Sequence, residues 1–197
     1  FQAEDGIRDF CLSRGLGDVY KRQTLELLET TMPLLRFDGV EADDVAAHLV
    51  KYKDKYNLGN VWLISSDRDW DLLIQETVSR FSYVNRKEVK LENWHDHYEV
   101  TPEQYISLKC LTGDKGDNVP GITGIGPKRA ASLITEYGDA LTIYDSLPLP
   151  SKYKHIQELN ASGERILQNY ELMDLMSYCD DAIGASNIAG IEEKIAC

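Results

Sequence analysis

Hydrophobic positions switch between helical and extended spacing, and the switch divides the chain into two unlike halves. Over 42–56, Ala42, Val45, Ala46, Leu49 and Tyr56 fall on one helical face with lysines opposite, which predicts an amphipathic helix. The run Val61-Trp-Leu-Ile64 is apolar throughout, which predicts a short strand buried on both faces. Upstream, 24–31 reads as the end of a helix stopped by Pro33, and 34–37 as another short strand. Strand, helix, strand in this order predicts a parallel sheet with a right-handed crossover. Residues 78–83 and 88–91 predict a further strand and a hairpin return.

From residue 91 onward the spacing is helical. In Thr101-Pro-Glu-Gln104 the Thr predicts a cap, Pro the first helical position and Gln a return to the cap, with Gly113 closing the helix. Pro127 opens a second helix that Gly138 ends, and two more are expected over 152–175 after the connector Leu147-Pro-Leu-Pro150. The expected fold is α/β: a partial parallel-sheet core over 24–100, then a helical subdomain over 101–197. Residues 1–23 show no such period, and residues 2–9 translate a sequencing-adapter string, so that segment reads as an assembly scar.

Composition complicates the picture. Asp and Glu number 33 against 21 Lys and Arg, a net charge of −12. Alone, this argues against nucleic acid, whose phosphates need a positive footprint, and for a solvated acidic surface. The sign reverses locally if carboxylates converge on divalent cations. At 197 residues and 43% hydrophobic, the chain supports one core with at most a small subdomain. No run approaches the ~20 apolar residues of a membrane span. Cys11, Cys110, Cys179 and Cys197 lie at no ligand spacing and read as reduced, non-catalytic thiols of a cytoplasmic protein.

The acidic residues cluster at element edges. Glu41-Ala-Asp43-Asp44 stands where the first expected strand meets its helix; Asp67-Arg-Asp69 follows 61–64; Asp114-Lys-Gly-Asp117 follows Gly113. Sites in open parallel sheets form beyond the carboxyl ends of strands. Gathered carboxylates repel one another, and hard cations such as Mg²⁺ remove that cost. Two ions ~4 Å apart can clamp a phosphodiester and generate hydroxide. For one cluster a cap or solvated turn is the default; three at consistent positions favour metal. Asp71 alone is left a structural role.

The string Gly121-Ile-Thr-Gly124-Ile-Gly126-Pro-Lys128-Arg129 carries the second signal. Gly124 and Gly126 permit a tight turn and close backbone approach, and Ile122 and Ile125 seat it. Lys128 and Arg129 oppose the helix dipole unless a phosphate lies between them and the exposed amides. Helix, hairpin and helix thus read as a sequence-independent clamp on a DNA backbone.

Gly39-Val-Glu-Ala-Asp-Asp44, Trp62-Leu-Ile-Ser-Ser-Asp-Arg-Asp-Trp70, Ile106-Ser-Leu-Lys109, Gly113-Asp-Lys-Gly-Asp-Asn118 and Gly124-Ile-Gly-Pro-Lys-Arg-Ala130 together resemble the flap endonuclease and 5′–3′ exonuclease family. The phage-type members are most similar, and the 5′-nuclease domain of DNA polymerase I is akin. The resemblance covers 24–185. It implies hydrolysis of DNA phosphodiesters at 5′ ends, flaps or junctions by a monomer with two Mg²⁺ (Mn²⁺ as substitute). It implies Glu41, Asp43 and Asp44 as ligands of one ion, and Asp67, Asp69, Asp114 and Asp117 as ligands of the other, the first five being catalytic. It implies K⁺ and duplex DNA at the hairpin, with Gly121, Gly124, Gly126, Lys128 and Arg129 in contact. Lys109 and Lys115 are candidate phosphate contacts or solvated surface lysines, at equal odds. The family's opening strand with its aspartates and its basic helical arch find no match, so an inert N-terminally truncated fragment is expected. A non-catalytic DNA-binding module and an RNA-cleaving domain are the competing readings.

Overall fold

The computed structural model describes residues 14–195, with side chains from 19 onward. The adapter-like stretch therefore falls outside the described residues up to 13. Its remainder is helical, contrary to expectation: α1 spans Arg14–Glu29. The Leu, Arg, Lys, Gln and Glu side chains there lose little freedom in a helix, which favours it locally. Tyr20 and Leu27 stay exposed.

Residues 34–37 form no strand. Helix α2 (Ala42–Lys51) is shorter than its apolar period, because the chain unwinds through turns closed by Tyr56 N–H to Tyr52 O and Leu58 N–H to Lys53 O. Strand β1 (Val61–Ile64) pairs in parallel with β2 (Val78–Ser82), which pairs antiparallel with β3 (Lys87–Val89). The parallel connection runs through a 3₁₀ turn at Asp69–Leu73, not over α2 as the expected strand–helix–strand unit would have it. In β1 only Leu63 is buried; Trp62 is 72% and Ile64 55% exposed. The expectation of burial on both faces fails because, among the described residues, the apolar cluster packs on the Leu63 side and leaves Trp62 and Ile64 outside, and β1 stands at the edge of its sheet.

A 3₁₀ segment at Leu91–Asp96 leads into the helical half. Helix α3 spans Tyr105–Thr112; the Gln104 side chain reaches back to the Thr101 N–H, but the helix proper begins after Gln104. A two-residue ladder, β4 (Gly113–Asp114) with β5 (Val119–Pro120), precedes α4 (Pro127–Tyr137). Then follow α5 (Ala140–Asp145), α6 (Lys154–Ala161), α7 (Gly163–Met173), α8 (Leu175–Ile183) and α9 (Ala185–Ile195).

Three apolar clusters hold these elements. Ile134, Ile143, Leu159 and Ile166 are fully buried in the helical half, each contributing about 1.5–3 kcal/mol. Val50, Leu63, Trp70, Leu73 and Cys179 join α2 and the sheet to α8. Val45, Ile183 and Ile191 tie α2 to the last two helices. Helices α8 and α9 thus return to brace α2. Among the described residues, no helix is long and apolar enough to cross a membrane.

Candidate metal centre and nucleic-acid interface

Glu41 is the residue before the first turn of α2, extended and exposed, with Asp43 and Asp44 inside that turn. Asp43 is buried and accepts a 2.8 Å hydrogen bond from Trp70 Nε1. Burial raises its pKa; the Trp70 bond opposes this, and the charges of Asp67, Glu41 and Asp44 add to it. Asp44 is raised by burial and then by Glu41.

At the carboxyl end of β1 the chain turns back on itself. Asp67 N–H donates to Ser65 Oγ at 3.1 Å, and Asp69 N–H donates to Asp67 Oδ1 at 2.9 Å. Asp69 is pushed up to about 6, chiefly by burial, with Lys109 opposing and Asp67 and Asp114 reinforcing. The charge of Asp67 bears on both Asp43 and Asp69, and the Trp70–Asp43 bond sets the first turn of α2 beside the loop after β1. Asp69, Asp114 and Asp117 offer oxygens that lie within 4.8 Å of one another. Burial works upward on Asp114, but Lys109 and the amides of Gly116 and Asp117 outweigh it and hold its carboxyl below the usual range.

Lys109 is not a solvated lysine. It is buried on α3, bonded to Asp69 and, at 3.0 Å, to Asp114 Oδ2. Its ammonium offsets repulsion between two carboxylates, a role that residue spacing could not separate from a surface position. Lys115 is exposed.

The hairpin sits directly after Asp114. A Cβ on Gly113 would lie 2.2 Å from Gly121 N, and one on Gly121 would lie 2.1 Å from Thr112 O. These two glycines, rather than Gly126, are demanded by close approach; space around Gly126 is open. Gly124 has φ +81 and turns the chain into α4. Ile122 and Ile125 are buried as expected. Asn169 on α7 donates to the carbonyls of Cys110 (2.8 Å) and Pro120 (3.0 Å), a support the sequence did not announce. Lys128 and Arg129 are exposed, and one Arg129 Nη1–H donates to Gly124 O at 2.6 Å.

With this geometry in place, the known proteins it matches carry weight. A family model described as the 5′-3′ exonuclease C-terminal SAM fold matches residues 100–193. The flap endonuclease of Escherichia phage T5 is 49% identical over 167 residues, 84% of this chain and 57% of that protein. A solved structure of the T5 5′-exonuclease with bound divalent zinc ions has 45% identity and a TM-score of 0.84, covering 91% of this chain and 68% of that one. The chain belongs to the flap endonuclease and 5′–3′ exonuclease family. A T5 flap endonuclease complex with DNA and metal ions aligns with a TM-score of 0.85 at 44% identity, covering 91% and 67% of the two chains. The chain spans little more than half the length of the curated flap endonuclease and 5′-3′ exonuclease relatives it matches, and 11% of a DNA polymerase I of Rhizobium leguminosarum.

Within this family member, further residues hold the acidic segments. Asp71 is fully buried in a forked ion pair with Arg80, Arg80 Nη2 donating to Asp71 Oδ2 at 2.9 Å, and Tyr98 also donates to it. Arg80 Nη1 donates to Ser65 O at 3.0 Å, fixing the carbonyl from which the Asp67 loop departs. A charged residue inside the strand 78–82 was the available signal. On α8, Asp180 receives His48 Nδ1 at 2.7 Å, Lys51 Nζ at 2.8 Å and Tyr52 OH at 2.8 Å, all from α2 or its cap. His48 Nε2 meets Tyr56 OH at 2.8 Å. These contacts set the axial position of the helix that carries Glu41, Asp43 and Asp44.

Proposed function

We propose that the chain carries the cation-binding and duplex-holding parts of a structure-specific 5′ nuclease that hydrolyses DNA phosphodiesters. The observation that carries this reading is the convergence of Asp69, Asp114 and Asp117 within 4.8 Å, beside a backbone hairpin and next to Asp67 and Asp43. Hard carboxylate oxygens suit Mg²⁺, with Mn²⁺ as a substitute, better than a soft metal. Glu41, Asp43 and Asp44 would hold one ion and Asp67, Asp69, Asp114 and Asp117 the second. Bound there, divalent cations polarise the phosphodiester and lower the pKa of attacking water.

The chain's own residues prepare that step. Lys109 keeps Asp69 and Asp114 gathered against their mutual repulsion. Trp70 holds Asp43 through its indole N–H, and Arg80 pins the start of the Asp67 loop. The amides after Gly124, with Lys128, Arg129 and Lys115, face a duplex backbone without reading bases. K⁺ at the hairpin would be held by backbone carbonyls through their spare lone pairs, since those of Pro120, Gly121 and Gly124 already accept from Asn169, Arg165 and Arg129. Substrates with 5′ ends, flaps or junctions, a monomeric state and a reducing compartment such as a host cytoplasm complete the proposal. The buried free thiols Cys110 and Cys179 suit that compartment.

A non-catalytic hairpin module is the second reading. The carboxylates speak against it, because a pure binder gains nothing from like charges beside phosphate. Calorimetric titration of the chain with Mn²⁺ separates the two. Binding should occur and weaken at least tenfold in Asp114→Asn, while duplex affinity persists. An unchanged titration would remove the cation assignment and leave only the hairpin.

A further inference from the structure

A groove of about 330 Å³ runs along α4, between Arg129, Ser132 and Glu136 on the helix and Leu149, Tyr153 and His155 on the facing segment. One end abuts the hairpin. Gly124 lies so close to His155 that a Cβ there would sit 3.3 Å from the His155 Cβ, and Arg129, which lines the groove, bonds the Gly124 carbonyl. Tyr153 is 62% exposed, and His155 is stacked against it, with ring centroids 5.8 Å apart and planes at 21°. The Tyr153 ring is thus near-parallel to a neighbouring ring, largely exposed, and part of the groove wall.

Cationic side chains without a partner gather near the groove. Lys51, Lys55, Lys109 and Lys194 are each tied to an acceptor. The side chains of Lys128, Lys152 and Lys154, which flank the groove in sequence, make no hydrogen bond or ion pair among the described residues, as is also true of Lys87 and Lys115 elsewhere. In a chain of net charge −12 this is a local positive patch. Glu136 stands two helical turns from Arg129, so the groove is cationic at the hairpin end and anionic at the other.

A base inside a duplex has both faces stacked and cannot use an exposed ring, whereas an unpaired base can. We propose that the groove takes one nucleotide of an unpaired DNA segment leaving the duplex at the hairpin, its base on Tyr153 and its phosphate toward Arg129. Glu136 then accepts from base amino groups. The proposal rests on the duplex-holding reading above and adds a subsite for unpaired DNA.

The test compares anisotropy binding of the full chain to a blunt labelled duplex and to the same duplex with a short single-stranded extension. The extended form should bind about tenfold tighter, the size of one base–aromatic stack. Tyr153→Ala should erase that difference and leave blunt-duplex affinity alone, while Tyr153→Phe keeps it. A 2-aminopurine in the extension should be quenched by the parent chain and not by Tyr153→Ala. Equal affinity for both duplexes, or equal weakening of both by Tyr153→Ala, overturns the subsite and leaves the hairpin reading intact. Failure to bind either duplex sinks the hairpin reading and the subsite with it.

Discussion

Around the hairpin, Ile122 and Ile125 enter the apolar core of the helical half, and Gly113 meets Gly121 backbone to backbone. Around the carboxylates, the buried and half-buried acids lean on polar groups: Trp70 for Asp43, Lys109 for Asp69, Arg80 and Tyr98 for Asp71. The contrast reflects what each region must present. A turn that offers amides rests first on shape, which dispersion and burial supply, with Asn169 and Arg129 bonding its carbonyls from outside. Gathered negative charge must be held against its own repulsion, so its scaffold has to be charged or hydrogen-bonded as well. The polar region should therefore be the more fragile to single truncations and the more sensitive to pH.

The sharpest way to break this contrast is Asp71→Ala, which strands the Arg80 guanidinium in the interior. Urea unfolding should report a loss of about 3–5 kcal/mol, and Asp71→Leu with Arg80→Met should recover most of it. Gly121→Ala attacks the other region by forcing a Cβ onto the Thr112 carbonyl. Thermal melting should give about 1–3 kcal/mol of destabilisation, with duplex binding reduced in parallel. If Gly121→Ala costs more than Asp71→Ala, the ranking of the regions is reversed.

Asp180→Ala removes the acceptor shared by His48, Lys51 and Tyr52 and should cost about 1.5–3 kcal/mol near neutral pH. Burial works upward on Asp180, but the bonds from Lys51, His48 and Tyr52 hold it below the usual carboxylate range. A depressed folded pKa gives stability that is present above about pH 4 and fades as pH falls further. The deficit of the variant should therefore shrink on acidification. Asp69 has the opposite sign: its folded value near 6 exceeds the unfolded one. Its contribution is full below about pH 4 and is lost as pH rises through 6. In chelator, Asp69→Asn should flatten stability over that interval. The smallest effect belongs to Trp62→Ser on the exposed face of β1, expected within about 0.5 kcal/mol; a larger loss would mean that this face is covered in solution.

Much of this was legible beforehand, and the reasons are local. Helices α2 and α4 declare themselves by apolar period and, for α4, by Pro127 and Gly138. The three acidic clusters and the hairpin string are contiguous and readable at a glance. Arg80 with Asp71 was not, because a lone arginine in a short strand gives no hint of its partner. Lys109 gave equal odds to surface and site, since helical spacing places it on α3 without saying what lies opposite. The 61–64 run and 34–37 misled for the same reason: strand composition does not say which neighbours are present to cover a face or complete a ladder.

By itself, the sequence determined which segments could coil, where they stop, and which short strings hold carboxylates or permit a tight turn. These properties depend on residues within a few positions of one another. The tertiary structure alone decided that Asp180 braces α2 across 132 residues and that Lys109 neutralises two acids at once. It also decided that β1 keeps one face open. Burial and charge pairing are set by what packs alongside, and that information is spread over the whole chain.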